Sequence, residues 1–204
     1  MFNPKNITDM TRSIPLDASH SELMTLGEIK ENYGSALDGA PSVYCGTYRK
    51  YNEGSLFGAW LDLTKFSDYD DFISVCKQLH ADEDDPELMF QDYDGFPSSL
   101  YCESCFSEDY FDKIIEYANL DSDEREALED FIDLGNDFDM SLFRECYCGK
   151  FDSETDFAEE IVNSCYDLER LMGDLSRYFN YEAFADELFA YDYAMGDNGY
   201  VFRR

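Results

Sequence analysis

Four stretches of the chain carry apolar residues at helical spacing. Phe72, Ile73, Cys76 and Leu79 follow Ser67-x-x-Asp70, a helix-start box. Phe111, Ile114, Ile115 and Ala118 follow Ser107, and Ala127, Leu128, Phe131 and Ile132 follow Asp121, which has Glu124 three residues on. Phe157, Ile161, Val162 and Cys165 follow Ser153-x-x-Asp156. Each pattern predicts a helix with one buried face. Residues 181–189 predict a further short helix, and residues 23–33 a helix-like patch.

Elsewhere the period is two. Val43-Tyr44-Cys45-Gly46-Thr47-Tyr48-Arg49 alternates as a strand, Asn52-Glu53-Gly54-Ser55 reads as a turn, and residues 56–63, with the only Trp (Trp60), as the returning strand. Residues 88–93 predict another strand, closed by Asp94-Gly95 and Pro97, and residues 144–151 one more. Residues 191–195 and Tyr200-Val201-Phe202 flank Asn198-Gly199, a favoured hairpin turn. The reading is an α+β fold. Its expected parts are an N-terminal extension (1–41), an α/β unit (42–103), an acidic helical unit (104–143) and an α/β unit with a C-terminal hairpin (144–204).

Charge changes the picture. The 204 residues carry a formal net charge of −31. Residues 66–143 alone hold 24 Asp and Glu against Lys77, Lys113 and Arg125. The same stretch is rich in Phe, Ile and Leu, which an acidic disordered tail lacks. It is read as a folded scaffold that displays carboxylates. The positions facing away from the apolar stripe after Asp121 are Asp123, Glu126, Glu129, Asp130 and Asp133. Like charges three and four apart on a helix repel. Such a row works against folding and is better explained by use.

That balance repels nucleic acid and anionic membranes and attracts basic grooves. No run of about 18 apolar residues exists, so no transmembrane helix is expected. Residues 1–20 lack a positive end followed by an apolar block, so no secretory signal is expected and the cytoplasm is the expected compartment. The seven Cys are then expected to be reduced, as buried or incidental thiols.

Catalytic chemistry is sparse. His20 and His80 are few for acid–base work, and His80 reads as a cation at a helix C-terminus. Cys102-x-x-Cys105 and Cys146-x-Cys148 are spaced poorly for zinc. Asp121-x-Asp123-x-Arg125 fails as a calcium loop at Arg125, Glu126 and Ile132. No phosphate-cradling glycine loop, HExxH or GxSxG occurs. No metal, cofactor or enzymatic activity is expected. The 16 Tyr and 17 Phe lack the flanking bases that single-strand binding requires.

Duplex DNA carries one charge per about 1.7 Å of axis, so 31 net charges match about 53 Å, or about 15 base pairs. A basic groove that neutralises phosphates does not easily distinguish them from carboxylates at similar spacing.

Three segments carry a family likeness. They are Val43-Tyr44-x-Gly46-Thr47-Tyr48-x-Lys50-Tyr51-Asn52-x-Gly54-Ser55-x-x-Gly58-x-Trp60-Leu61-Asp62-Leu63, Asp84-Asp85-Pro86-Glu87-x-Met89-Phe90-Gln91-Asp92-Tyr93, and Tyr178-Phe179-x-Tyr181-Glu182-Ala183-Phe184-Ala185-x-Glu187-Leu188-Phe189 closed by Gly199-Tyr200-Val201-Phe202. From about residue 42 to 204 the chain resembles the ArdA antirestriction proteins. The resemblance implies an elongated row of three small domains, dimerising into a curved rod. It implies a DNA mimic that occupies the DNA channel of type I restriction–modification enzymes, at their modification and specificity subunits, and needs no catalytic residue. The acids expected to face the target are Asp82, Glu83, Asp84, Asp85, Glu87, Asp92, Asp94, Glu108, Asp109, Asp112, Glu116, Asp123, Glu126, Glu129, Asp130, Asp133, Asp137 and Asp139. Two rival readings are an acidic partner of a nucleoid or other basic DNA-binding protein, and a hydrolase or metal enzyme built on a carboxylate cluster.

Overall fold

The structure is a computed structural model that describes residues 23–204. The fold is α+β, with two small antiparallel sheets separated in sequence by helices. Among the described residues no helix is long and apolar enough to cross a membrane.

Thr25 opens the first helix, α1 (Leu26–Tyr33), through a capping box with Glu28. Three strands follow: β1 (Ser42–Thr47), β2 (Ala59–Asp62) and β3 (Leu88–Asp94), in the order β2-β1-β3. Val43, Cys45, Ala59, Leu61 and Phe90 are buried on one face of this sheet. Tyr44 pairs with Trp60 across strands. A short helix, α2 (Tyr48–Asn52), replaces the expected continuation of β1, because the Thr47 side chain accepts from the Lys50 N–H and turns the chain. The returning strand is correspondingly shorter than expected.

Helix α3 (Tyr69–Leu79) lays Phe72, Val75, Cys76 and Leu79 into the core. Its cap is Asp68, which accepts from Asp71 N, one residue past the expected Ser67. Ser67 instead holds the Asp71 carboxylate. Next come α4 (Glu108–Ala118) and α5 (Ser122–Asp133); the Asp121/Glu124 capping box forms as expected. Residues 144–146, expected in a strand, end α6 (Met140–Cys146), because Asp139 caps a helix ahead of them. The strand β4 is only Tyr147–Lys150.

Helix α7 (Glu154–Cys165) starts at Ser153, whose hydroxyl both accepts from Asp156 N and donates to its carboxylate. A short α8 (Leu168–Met172) and a 3-10 segment at Gly173–Tyr178, neither of them expected, lead to α9 (Tyr181–Tyr191). The hairpin β5 (Tyr193–Met195) and β6 (Tyr200–Arg203) completes a second sheet in the order β4-β6-β5.

One buried apolar cluster runs from Ile29 through Phe143 and takes in Tyr200 and Phe202. Phe72 is its hub: its ring lies 5.6 Å from Phe90 and 5.8 Å from Phe111, joining the first sheet to α4. At the other end Phe202 lies 5.2 Å from Phe131. A smaller cluster of Phe157, Phe189 and Val201 sits under α7 and α9. Strand β6 therefore serves both, Tyr200 and Phe202 on one face and Val201 on the other, as its period of two requires.

The expected N-terminal extension is in part core. Ile29 is fully buried, and Ser35 N donates to Trp60 O beside β2. Residues 1–22, with His20, lie outside the described residues.

Candidate functional site

The eighteen acids named from sequence fall on five consecutive elements. Asp82, Glu83, Asp84, Asp85 and Glu87 occupy the loop between α3 and β3; Asp92 and Asp94 lie on β3. Glu108, Asp109, Asp112 and Glu116 are on α4, and Asp123, Glu126, Glu129, Asp130 and Asp133 on α5. Asp137 and Asp139 sit in the turn into α6.

Most of these side chains face water. Asp94 and Glu126 are half-buried, Glu83 and Asp130 are buried, and the rest are exposed. Few have a counter-ion. Lys50 pairs with Asp82 and Glu83, Lys113 with Asp109, and Lys150 with Glu126. Twelve of the eighteen are exposed and make no ion pair among the described residues. Arg125, the only base on α5, donates to the Ala118 carbonyl at the end of α4 and lies over the Tyr117 ring. It neutralises none of the outer row.

The C-terminal turns of the helices make no provision for this charge. No basic residue stands in the last turn of α4, α5, α7 or α9. Acids in a last turn oppose the helix dipole, and Glu116 and Asp133 are so placed. Asp112 and Glu116 repel at i,i+4 on α4. Stability alone selects against this arrangement.

Two of the named acids are not surface groups. Glu83 is 8% exposed; its carboxylate accepts from the Thr47 hydroxyl at 2.7 Å and pairs with Lys50 at 3.1 Å. Burial pushes its pKa up, but those two donors outweigh burial and hold it below the ordinary value. Asp130 is 2% exposed and accepts from Asn198, through the backbone N–H at 3.0 Å and the side-chain amide at 2.8 Å. Helical periodicity placed Asp130 on the wet side, and the dense acidic run placed Glu83 there; neither signal reports the neighbours met on a second face.

His80 stands at the C-terminus of α3, as expected, and is fully buried. Its Nδ1 lies 3.0 Å from the Lys50 ammonium, which can only donate, so Nδ1 accepts. Cys102 and Cys105, expected as free thiols, form a disulfide: the turn brings their Cα atoms to 5.4 Å, within disulfide range. The other five Cys are free. Among the described residues no group of three or more His, Cys, Asp or Glu is arranged to hold a metal.

Acids beyond residue 139 went unnamed. Glu154, Asp156, Glu159 and Glu160 on α7, and Glu182, Asp186 and Glu187 on α9, are all exposed and make no ion pair among the described residues. Their signal was available: each lies off the apolar stripe of its own helix.

A family model described as antirestriction protein (ArdA) matches residues 43–202. The chain belongs to the ArdA family. Membership implies an antirestriction function, and with it an interaction with restriction–modification enzymes. The ArdA match begins at β1 and ends within β6, so it spans both sheets and the acidic helices between them. It leaves out α1, which nonetheless packs into the first core. A search of curated proteins returned no match.

Proposed function

We propose that this protein inhibits type I restriction–modification enzymes by imitating DNA and occupying the DNA channel of their modification and specificity subunits. The observation that carries the reading is the series of exposed carboxylates on successive elements from Asp84 to Asp139, most of them without an ion-pair partner among the described residues. Fixed on a folded scaffold, they hold the charge density a phosphate-binding groove is built to neutralise, and binding draws on counterion release. Sign and spacing do the work, and no group needs to react. The acids of α7 and α9 extend the series.

On this reading the protein acts in the cytoplasm, where incoming DNA is cut. The units 42–103, 104–143 and 144–204 lie in a row. Two copies associate to lengthen the imitation. An exposed apolar face supports association: Tyr166, Leu171, Leu175 and Tyr178 are each more than half exposed, beside a cleft lined by Leu168, Met172 and Phe184.

The decisive experiment is restriction of unmodified phage DNA in cells carrying a type I system, with and without the protein. Expression should raise plaque yield, and affinity for the modification–specificity complex should fall steeply with salt. Unchanged restriction by soluble protein, or salt-independent binding, refutes the proposal. Light scattering should give twice the chain mass, and Leu171→Asp with Leu175→Asp should halve it.

A further inference from the structure

We infer that Asp130 and Glu126 are positioning residues: two inward-turned acids of α5 that clamp the C-terminal sheet and so set where the acids of α7 and α9 stand relative to those of α4 and α5. The inference rests on the DNA-mimic reading, which requires the charges to hold a fixed mutual spacing.

The two residues lie one helical turn apart and meet the same partner. Asp130 receives both donors of Asn198, in the turn between β5 and β6. The hairpin approaches so closely that a Cβ at Gly196 would stand 2.3 Å from the Asp130 carboxyl carbon. Only glycine admits that approach. Glu126 binds the next strands along: its Oε2 accepts from the Tyr200 hydroxyl at 3.0 Å and the Lys150 ammonium at 2.9 Å. Lys150 also lies over the Tyr200 ring. Between these polar contacts Phe131 packs against Phe202. The clamp thus joins α5 to β4, to β6 and to the β5–β6 turn.

A carboxylate clamp suits this joint for a physical reason. Apolar packing resists separation but tolerates sliding, whereas directed hydrogen bonds fix orientation. Asp130 makes its bonds out of water, where a missing partner is costly. An error of angle at β6 is carried to the far ends of α7 and α9.

The test separates charge from placement. Gly196→Ala and Asn198→Ala leave every formal charge in place. Glu145→Gln removes one charge from an exposed acid of α6 outside the target-facing set and serves as control. Residual dipolar couplings of the backbone amides report how α5 and the 147–203 segment are oriented. In the parent protein both should fit one alignment tensor. In Gly196→Ala and Asn198→Ala each segment should keep its own internal fit, and the shared tensor should fail. Inhibition of restriction should weaken by about fivefold or more in Asn198→Ala, the effect of about one buried hydrogen bond, and by less than about twofold in Glu145→Gln. If Gly196→Ala does not fold, Asn198→Ala decides. A single shared tensor in Asn198→Ala overturns the inference, whatever inhibition does. If the parent protein does not inhibit restriction, the mimic reading fails, while the couplings still decide the clamp.

Discussion

Tyr33 stacks on Phe66, with ring centroids 4.7 Å apart and planes 12° from parallel. Tyr33 belongs to α1, ahead of the ArdA match, and Phe66 is buried in the first core. Tyr33→Ala should therefore cost about 2–3 kcal/mol, the range for losing a partly buried aromatic. Urea denaturation should show a lower midpoint with unchanged slope. A change within about 0.5 kcal/mol, typical of surface sites, would return α1 to the status of an appendage.

The outer acids predict a divergence between stability and activity. Asp112→Asn, Glu116→Gln and Asp133→Asn relieve i,i+4 repulsion or acids at helix C-termini. Combined, they should raise stability by about 1 kcal/mol. Each alone should weaken inhibition by less than about twofold, and the three together by more, since weak contacts share the binding. Denaturant melts alongside a restriction assay check both. A triple variant that is more stable and fully inhibitory removes these acids from the interface.

Lys50 joins three groups: Asp82 at 2.7 Å, Glu83 at 3.1 Å and His80 Nδ1 at 3.0 Å. Lys50→Met leaves the Glu83 carboxylate buried with the Thr47 hydroxyl alone, at a cost of about 2–4 kcal/mol. Adding Glu83→Gln should recover about half of that, because the stranded charge goes. Thermal melts of the single and double variants measure the coupling. Additive losses would show that the ammonium and the carboxylate act independently.

Alkali should unfold the protein. Burial, then the hydrogen bond to Glu129, pushes Tyr117 well above its ordinary value near 10. Burial also raises Tyr44, Tyr69, Tyr101 and Tyr200. Above pH 10 the unfolded chain loses phenolic protons that the folded chain keeps. The stability these phenols confer is complete below that pH and is lost as pH rises towards their folded values. The part of the tyrosinate absorbance that comes from these phenols should climb in a steep step coincident with loss of far-UV ellipticity. Gradual ionisation of an intact fold would contradict the burial of these phenols.

By itself the sequence determined what short-range physics controls. The inner faces of α3, α4 and α5 followed from apolar spacing, and that of α7 at Phe157, Ile161 and Val162; Cys165, expected inward, is exposed at the last residue of α7. The Asp121/Glu124 and Ser153/Asp156 caps followed from contacts between residues close in the chain, and so did the C-terminal hairpin, although it turns over residues 196–199 with only Gly199 at positive φ and not as a two-residue Asn-Gly turn. The sign of the surface followed from counting. What tertiary structure decided were contacts between residues far apart: Asp130 with Asn198, Glu83 with Lys50 and Thr47, His80 beneath Lys50, Tyr33 on Phe66. Even the local Cys102–Cys105 bond lies in a turn tied to β3, where Phe90 N donates to the Glu103 carbonyl. An amphipathic pattern names one buried face. It cannot tell which carboxylates of the other face meet a second partner, because that partner arrives only when the whole chain has folded.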